Sequence, residues 1–367
     1  MDKSDRKAVV RELDVEAGRR ILVVSDIHGN LPYLQGVLRK AGFCENDVLI
    51  VDGDLLERGG ACLDTMHFLM ELSKAGNVQV ISGNRDSWHE VFLLSPDEDD
   101  RLLKGYIQLR KTGLLWEMCL RSGIAPEELE HFTETKEFLR ERYAEEWRFL
   151  AGLPHAIETE KFIFAHAGVD PSVPLEENTV ETLTHTDAFL LRGWSFPKWV
   201  IVGHWPVMLY RENIVSAQPV IDRERKIASI DGGCVLKDDG QLNCLIIPDR
   251  ECDEFELVSY DSFPVRKVKD PQKGGDRSYY IRWGDSRVRV LERNGEFSRC
   301  RHLRTGYEMD ILTKYLFSED EVTDCNDCTD YFLPLEPGDE VSVVETTERG
   351  YFVKHNGISG WYLGELE

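Results

Sequence analysis

Seven short runs of β-branched and aliphatic residues punctuate the first two-thirds of the chain, and each ends at a polar or glycine-containing turn. They are ILVVSD (21–26), VLIVDGD (48–54), VQVISGN (78–84), KFIFAHAG (161–168), WVIVGH (199–204), IASIDGG (227–233) and NCLIIPD (243–249). Their continuous apolar character predicts strands buried on both faces. Helical patterns occupy 31–41 and 60–75, and a longer polar-apolar stretch over about 88–150 reads as a helical insertion. Within it, APEELEHF puts Pro126 in a first turn followed by acids, which predicts a helix start. Strands alternating with helices give a layered α/β architecture, in which reactive groups collect at the carboxyl ends of strands.

The pattern changes after about residue 260. FPVRKVKDPQKGGDRS (263–278) reads as a linker or first loop, and beyond it the chain repeats itself. Gly284-Asp285 returns as Gly338-Asp339, Phe297 as Tyr351, and Thr305-Gly306-Tyr307 as Ser359-Gly360-Trp361, each at an offset of 54. VRVLE (288–292) is matched by VSVVE (341–345) at an offset of 53. Self-similarity on this scale predicts two copies of one module, all β, with a small barrel as the expected form.

Composition narrows the function. Of 367 residues, 42% are hydrophobic and 30% charged, enough apolar material for a large core. Lys+Arg number 44 and Asp+Glu 67, so the net charge of −23 argues against a nonspecific nucleic-acid binder. No run approaches the roughly 18 apolar residues of a membrane span. The first twenty residues lack the apolar core of a signal peptide, so a cytoplasmic protein without a membrane partner is expected. Nine cysteines, an odd number, fit reduced thiols better than a disulfide framework.

Five strand ends finish in groups that can ligate a metal: Asp26 and His28 in SDIHGN, Asp54 in GDLLERG, Asn84 in GNRD, His166 in FAHAG and His204 in GHWP. Taken singly, each has a bland reading as a turn residue, a helix cap or a structural histidine. Together they form a mixed carboxylate, imidazole and amide set, which suits a first-row transition metal better than calcium. Six are too many for one tetrahedral zinc and fit two ions bridged by one carboxylate.

In order and approximate spacing, DIHGN, GDxxxRG, GN, HAG and GH resemble the motifs of the calcineurin-like metallophosphoesterases, over roughly residues 20–260. Within that superfamily the chain looks closest to the PPP-type branch of Ser/Thr protein phosphatases and symmetrical diadenosine tetraphosphate hydrolases. The resemblance implies an αββα sandwich over 1–262 and two divalent ions, manganese first, with iron or zinc as alternatives. It places Asp26, His28 and Asp54 on one ion, and Asp54, Asn84, His166 and His204 on the other. Arg58 and Arg192 match the phosphate-clamping arginines. The sequence departs from the pattern at Arg85, where the family usually has a proton-donating histidine, and at Glu57, where that histidine's aspartate partner stands. Because arginine is a very poor proton donor, an Arg85–Glu57 salt bridge is expected, with Asp86 or His89 as other sources of a proton. Trp205 walls the ligand histidine or packs in the core.

The tandem modules, 263–317 and 318–367, resemble bacterial SH3-like domains, whose ends often read NGxxGW, as in HNGISGWYLGEL (355–366). They can bind a protein or peptide partner, or simply cover the first domain. Cys300, His302, Cys325 and Cys328 offer four ligands for zinc, but unligated thiols are the preferred reading. The leading expectation is a metal-dependent phosphomonoester hydrolase of Ser/Thr protein phosphatase type. The alternatives are a dinucleoside polyphosphate or other nucleotide hydrolase, and a phospho-ligand-binding pseudoenzyme.

Overall fold

The structure is a computed structural model that describes residues 6–94, 100–129 and 132–367. It divides into two compact units, Met1–Trp205 with Pro219–Leu236 and Gln241–Tyr260, and Pro206–Gln218 with Lys237–Gly240 and Asp261–Glu367.

Strands of the first unit begin with β1 (Val10–Glu12), β2 (Ile21–Val24), β3 (Val48–Asp52), β4 (Val78–Ile81), β5 (Ala156–Glu158), β6 (Phe162–Ala165) and β7 (Trp199–Val202). After β8 (Val215–Ser216), which belongs to the second unit, come β9 (Val220–Asp222), β10 (Ile227–Ser229), β11 (Leu242–Ile247) and β12 (Glu256–Tyr260). Every one of the seven apolar runs is a strand. They join two sheets, ordered β12-β11-β2-β3-β4 and β1-β5-β6-β7-β10-β9. Strands β2, β3 and β4 run parallel, as do β6, β7 and β10, so their carboxyl ends gather on one edge of each sheet.

Alternation along the strands explains why the runs are apolar throughout. Ile21, Val23, Val48, Ile50, Leu245 and Ile247 pack against Phe162, Phe164, Trp199 and Ile201 of the six-stranded sheet. Leu22, Val24, Leu49, Val51, Cys244 and Ile246 point the other way, into a core shared with the helices. Burial on both faces brings each such side chain about 1.5–3 kcal/mol, an upper figure given residual compactness of the unfolded chain.

The helices are α1 (Leu31–Lys40), α2 (Cys62–Ser73), α3 (Asp100–Arg110), α4 (Leu114–Arg121), α5 (Phe132–Arg142), α6 (Ala144–Ala151) and α7 (Val180–His185). Residues of α3–α6 in the insertion join the same core as α1 and α2, with Phe92 stacked on Trp147 at 4.3 Å between ring centroids. Ala61 cannot cap α2, so Glu117 of α4 does it, accepting from the backbone of Cys62 at 2.8 Å and Leu63 at 2.9 Å. The helix start expected at APEELEHF is only a single 3-10 turn, Pro126–Glu128. Ala125 offers no side-chain cap and Leu129 turns out of helical geometry (ψ 110°). Helix α5 begins at Phe132, and residues 95–99 and 130–131 lie outside the described residues. Among the described residues no helix is long and apolar enough to cross a membrane.

The second unit continues with β13 (Val265–Lys267), β14 (Tyr280–Ile281), β15 (Arg287–Asn294), β16 (Phe297–His302) and β17 (Glu308–Leu312). Then follow β18 (Val322–Asp324), β19 (Cys328–Thr329), β20 (Glu340–Thr347), β21 (Gly350–His355) and β22 (Ile358–Tyr362). The meanders β15-β16-β17 and β20-β21-β22 repeat one another, with a register shift after Val290 in one and after Val343 in the other. One sequence anchor fails: Thr305-Gly306 forms a turn, whereas Ser359-Gly360 lies inside β22, and the turn glycine of the second copy is Gly357. Strand pairing also crosses the expected module limits, since β13 pairs with β20, β18 with β15, and β8 with β22. Both sheets stay open among the described residues. The ring nitrogens of His302 are engaged by Thr305 at 2.8 Å and by the Asp285 carbonyl at 3.0 Å, so this imidazole is not turned toward the cysteines as a zinc ligand.

Candidate metal and phosphate site

Three of the five strand ends deliver their side chains through tight backbone turns. Asp26 (φ 55°), His28 (51°), Asp54 (50°), Glu57 (70°), Arg58 (68°) and His204 (63°) all adopt left-handed conformations. For residues with a Cβ this costs about 1–3 kcal/mol each, so the surrounding bonds must impose it. They do: Asp26 N donates to Gly53 O at 3.0 Å, His28 N to Asp54 O at 2.9 Å, and Gly59 N to His28 O at 2.9 Å. Close approach also dictates two glycines. A Cβ on Gly83 would lie 2.3 Å from Asp54 Oδ1, and one on Gly203 would lie 2.2 Å from Asp26 Oδ2.

The six side chains meet, and they meet acceptor to acceptor. His28 Nε2 lies 3.9 Å from Asp26 Oδ1 and 3.8 Å from Asp54 Oδ2. The other carboxylate oxygen, Asp54 Oδ1, is 3.3 Å from His166 Nε2. The Asn84 carboxamide oxygen sits 3.0 Å from both Asp54 oxygens and 3.3 Å from His166 Nε2 and His204 Nδ1. Only the opposite orientation of that amide would supply protons to these atoms, and a cation would make the present orientation the favoured one. Asp26 Oδ1 and His28 Nε2 are buried without a hydrogen-bond partner among the described residues. Such orphaned acceptors are costly unless a cation satisfies them.

The outer nitrogens fix which ring atom faces inward. Nδ1 of His166 meets the Asp52 carbonyl at 2.9 Å and Nδ1 of His28 the Leu56 carbonyl at 3.3 Å, so each donates there and leaves Nε2 as a lone pair. For His204 the roles reverse: Nε2 meets Asp187 Oδ1 at 2.9 Å, which leaves Nδ1 toward Asn84. Burial pushes His166 down to about 4 and lowers His28 as well, and neutral imidazoles are the form that binds metal. Burial, with Asp231 and Asp54 nearby, raises Asp26 well above the usual carboxylate range. The residues therefore fit a divalent cation, with Asp26, Asp54 and His166 offering buried ligand atoms within 4.8 Å of one another.

Beside this cluster lies a cavity of about 230 Å³ lined by Glu57, Arg58, Arg85, Tyr106, Arg110, Thr112, Val235 and Leu236. Arg85 links the two, its backbone N–H donating to Asp54 Oδ1 at 2.9 Å. The expected Arg85–Glu57 salt bridge is not formed among the described residues. The Glu57 carboxylate is instead held by Trp88 Nε1 at 2.8 Å, Tyr106 OH at 2.6 Å and Leu114 N at 3.1 Å, and Arg85 acts on it only at longer range. Asp86 is fully buried and accepts from the backbone of Leu55, Leu56 and Gly83, while burial and the nearby Asp54 raise its carboxyl well above the usual range. His89 lines a different cavity, with Arg6 and His155. Arg192 is exposed and donates to the Asp187 carbonyl at 3.2 Å, next to His204 but outside the arginine-lined cavity. Trp205 is half-buried. Sequence reading missed Tyr106 and Arg110, which stand on the helical insertion with no motif around them, and Asp187.

The model of the calcineurin-like phosphoesterase family matches residues 19–218, more than half the chain, and the chain belongs to that family. A curated relative, the symmetrical bis(5'-nucleosyl)-tetraphosphatase of Vibrio campbellii, is 26% identical over 255 residues, covering 66% of this chain and 79% of that protein. Among solved structures, one assigned provisionally as a diadenosine tetraphosphatase is 19% identical, covers 70% of this chain and 99% of its own, and has a TM-score of 0.45. A Saccharomyces cerevisiae protein serine/threonine phosphatase is 11% identical, covers 71% and 86%, and has a TM-score of 0.42. These two structural likenesses carry no functional weight. As a family member the chain is a metal-dependent phosphoesterase, a hydrolase.

Proposed function

We propose that this chain is a dinuclear hydrolase of phosphoanhydrides, acting on a nucleotide polyphosphate in preference to an alkyl phosphoester. One observation carries the dinuclear reading: Asp54 faces His28 Nε2 with one carboxylate oxygen at 3.8 Å and His166 Nε2 with the other at 3.3 Å, while the Asn84 carboxamide oxygen lies 3.0 Å from both, so acceptors face acceptors on both sides. In this reading Asp26, His28 and Asp54 hold one ion, and Asp54, Asn84, His166 and His204 the other, manganese being the first candidate. When bound, such ions supply Lewis acidity toward phosphoryl oxygens and make water acidic enough to attack phosphorus.

The rest falls to the chain's own residues. Arg58 and Arg85 bind the phosphoryl oxygens through their guanidinium forks, and Arg192 assists from the His204 side. Arg85 stabilises charge on the departing oxygen but transfers no proton to it. A phosphate leaving group tolerates that, whereas a serine alkoxide does not, and this favours anhydrides over phosphoserine. The name of the Vibrio campbellii relative points the same way. The C-terminal meanders, read as SH3-like modules, would serve a protein or peptide partner.

Turnover of diadenosine tetraphosphate, a phosphoserine peptide and p-nitrophenyl phosphate should be compared under manganese, with bound metal counted by mass spectrometry. Two ions per chain and fastest turnover of the dinucleotide are expected, and Asp54→Asn should hold less than one ion and lose activity. Faster peptide turnover would return the Ser/Thr phosphatase reading, and an Asp54→Asn chain that keeps both ions would end the dinuclear one.

A further inference from the structure

We infer that Arg110, in the last turn of α3, binds a second anionic group of the substrate, next to the phosphoryl group that is cleaved. The inference rests on the hydrolase reading and adds a specificity residue to it. Three guanidiniums, from Arg58, Arg85 and Arg110, line one cavity of about 230 Å³ in a chain whose net charge is −23. Among the described residues no carboxylate ion-pairs with any of them. Glu57 shares the cavity, but its oxygens are already taken by Trp88, Tyr106 and Leu114.

Like charges gathered this way repel. Burial first, and then Arg85 and Arg110, hold the Arg58 guanidinium below its ordinary value. An arrangement that raises the energy of the empty cleft is relieved by an anion. Two forks match the oxygens of one phosphoryl group, so the third has charge left for the next group along a phosphoanhydride chain.

Arg110 is held in place by the insertion. It lies four residues after Tyr106 on the same helix face, 5.7 Å from that ring, and the Tyr106 hydroxyl is anchored on Glu57. Besides Thr112, the remaining lining is apolar: Val235, left-handed at φ 65° and 41% exposed, stands beside Leu236. A β-branched residue rarely adopts this conformation, and here it lines the cavity with methyl groups that offer an anion no competing polar contact.

The test is calorimetric titration of imidodiphosphate, which carries two phosphoryl groups, and of inorganic phosphate into the manganese-loaded full chain. Arg110→Ala should weaken imidodiphosphate about tenfold and leave phosphate within twofold, with Arg110→Lys in between. Arg110 is exposed, so the substitutions leave the core intact. Equal losses for the two ligands, or no loss for imidodiphosphate, would overturn the assignment. If wild type turns over no phosphate ester or anhydride yet the selective loss is seen, the hydrolase reading fails and the role of Arg110 in anion binding stands.

Discussion

Replacing Glu57 tests how the insertion is joined to the turn that carries Arg58. Its carboxylate gathers three donors from separate segments: Trp88 Nε1 and Leu114 N on one oxygen, and Tyr106 OH on the other. In Glu57→Ala the Tyr106 hydroxyl can turn to water in the cavity, but the Trp88 and Leu114 N–H groups lose their acceptor. Each of the two stranded donors costs about 1–3 kcal/mol, and removal of a buried carboxylate returns about 1 kcal/mol of desolvation, so the net loss is about 1–5 kcal/mol. Glu57→Gln separates bonding from bulk. Its remaining oxygen can serve Trp88 and Leu114 while its NH2 donates to the Tyr106 oxygen, and the cost falls below about 1 kcal/mol. Urea unfolding at pH 7 followed by tryptophan fluorescence reads both variants, with Trp88 and Trp147 among the eight tryptophans that report. An alanine variant within about 1 kcal/mol of wild type, or a glutamine variant as damaged as the alanine one, would refute the reasoning.

Two further outcomes are expected. Asp47 accepts from Arg20 at 2.9 and 2.7 Å and from Cys44 N at 2.9 Å, which holds its carboxyl below the usual range although burial opposes this. A depressed folded-state pKa stabilises above the unfolded value, near 3.8, and the contribution fades as pH falls through the folded value. Asp47→Asn should therefore cost about 1–2 kcal/mol at pH 7 and approach wild type as pH falls through the depressed carboxyl value, whereas a pH-independent difference in thermal unfolding would contradict the pairing. Asp187→Ala frees the His204 ring to turn or change tautomer and should weaken manganese binding about tenfold by chelator competition, with unchanged affinity counting against a positioning role.

Much of this was legible in the chain because burial on both faces leaves so plain a mark. Runs such as VLIV at β3 had no surface alternative, and the ligand-type residues directly after them inherit their positions from strand direction. The gaps have equally physical causes. Strands β1 and β5 have only three residues each and owe their form to pairing, which leaves little local signal. The partner of Glu57 was misread because charge complementarity suggested Arg85, while its real donors, a tryptophan, a tyrosine and a backbone amide, lie up to 57 residues away. Arg110 could not be found at all: an arginine on an amphipathic helix looks the same whether it faces water or a cleft. In the C-terminal region, the offset of 53 shared by β15 and β20 was readable, but the exchange of β13 and β18 between neighbouring sheets depends on pairing alone.

The Glu57 junction makes selectivity and construction hard to vary separately. A substitution that loosens α3 reaches Arg58 within two residues of its anchor, so a lineage could not trade one helical cap for another without also retuning the turn beneath it. Swapping the insertion for that of a relative should succeed only when the acidic pin and its three donors travel as a set, which makes them the natural seam for any chimaera.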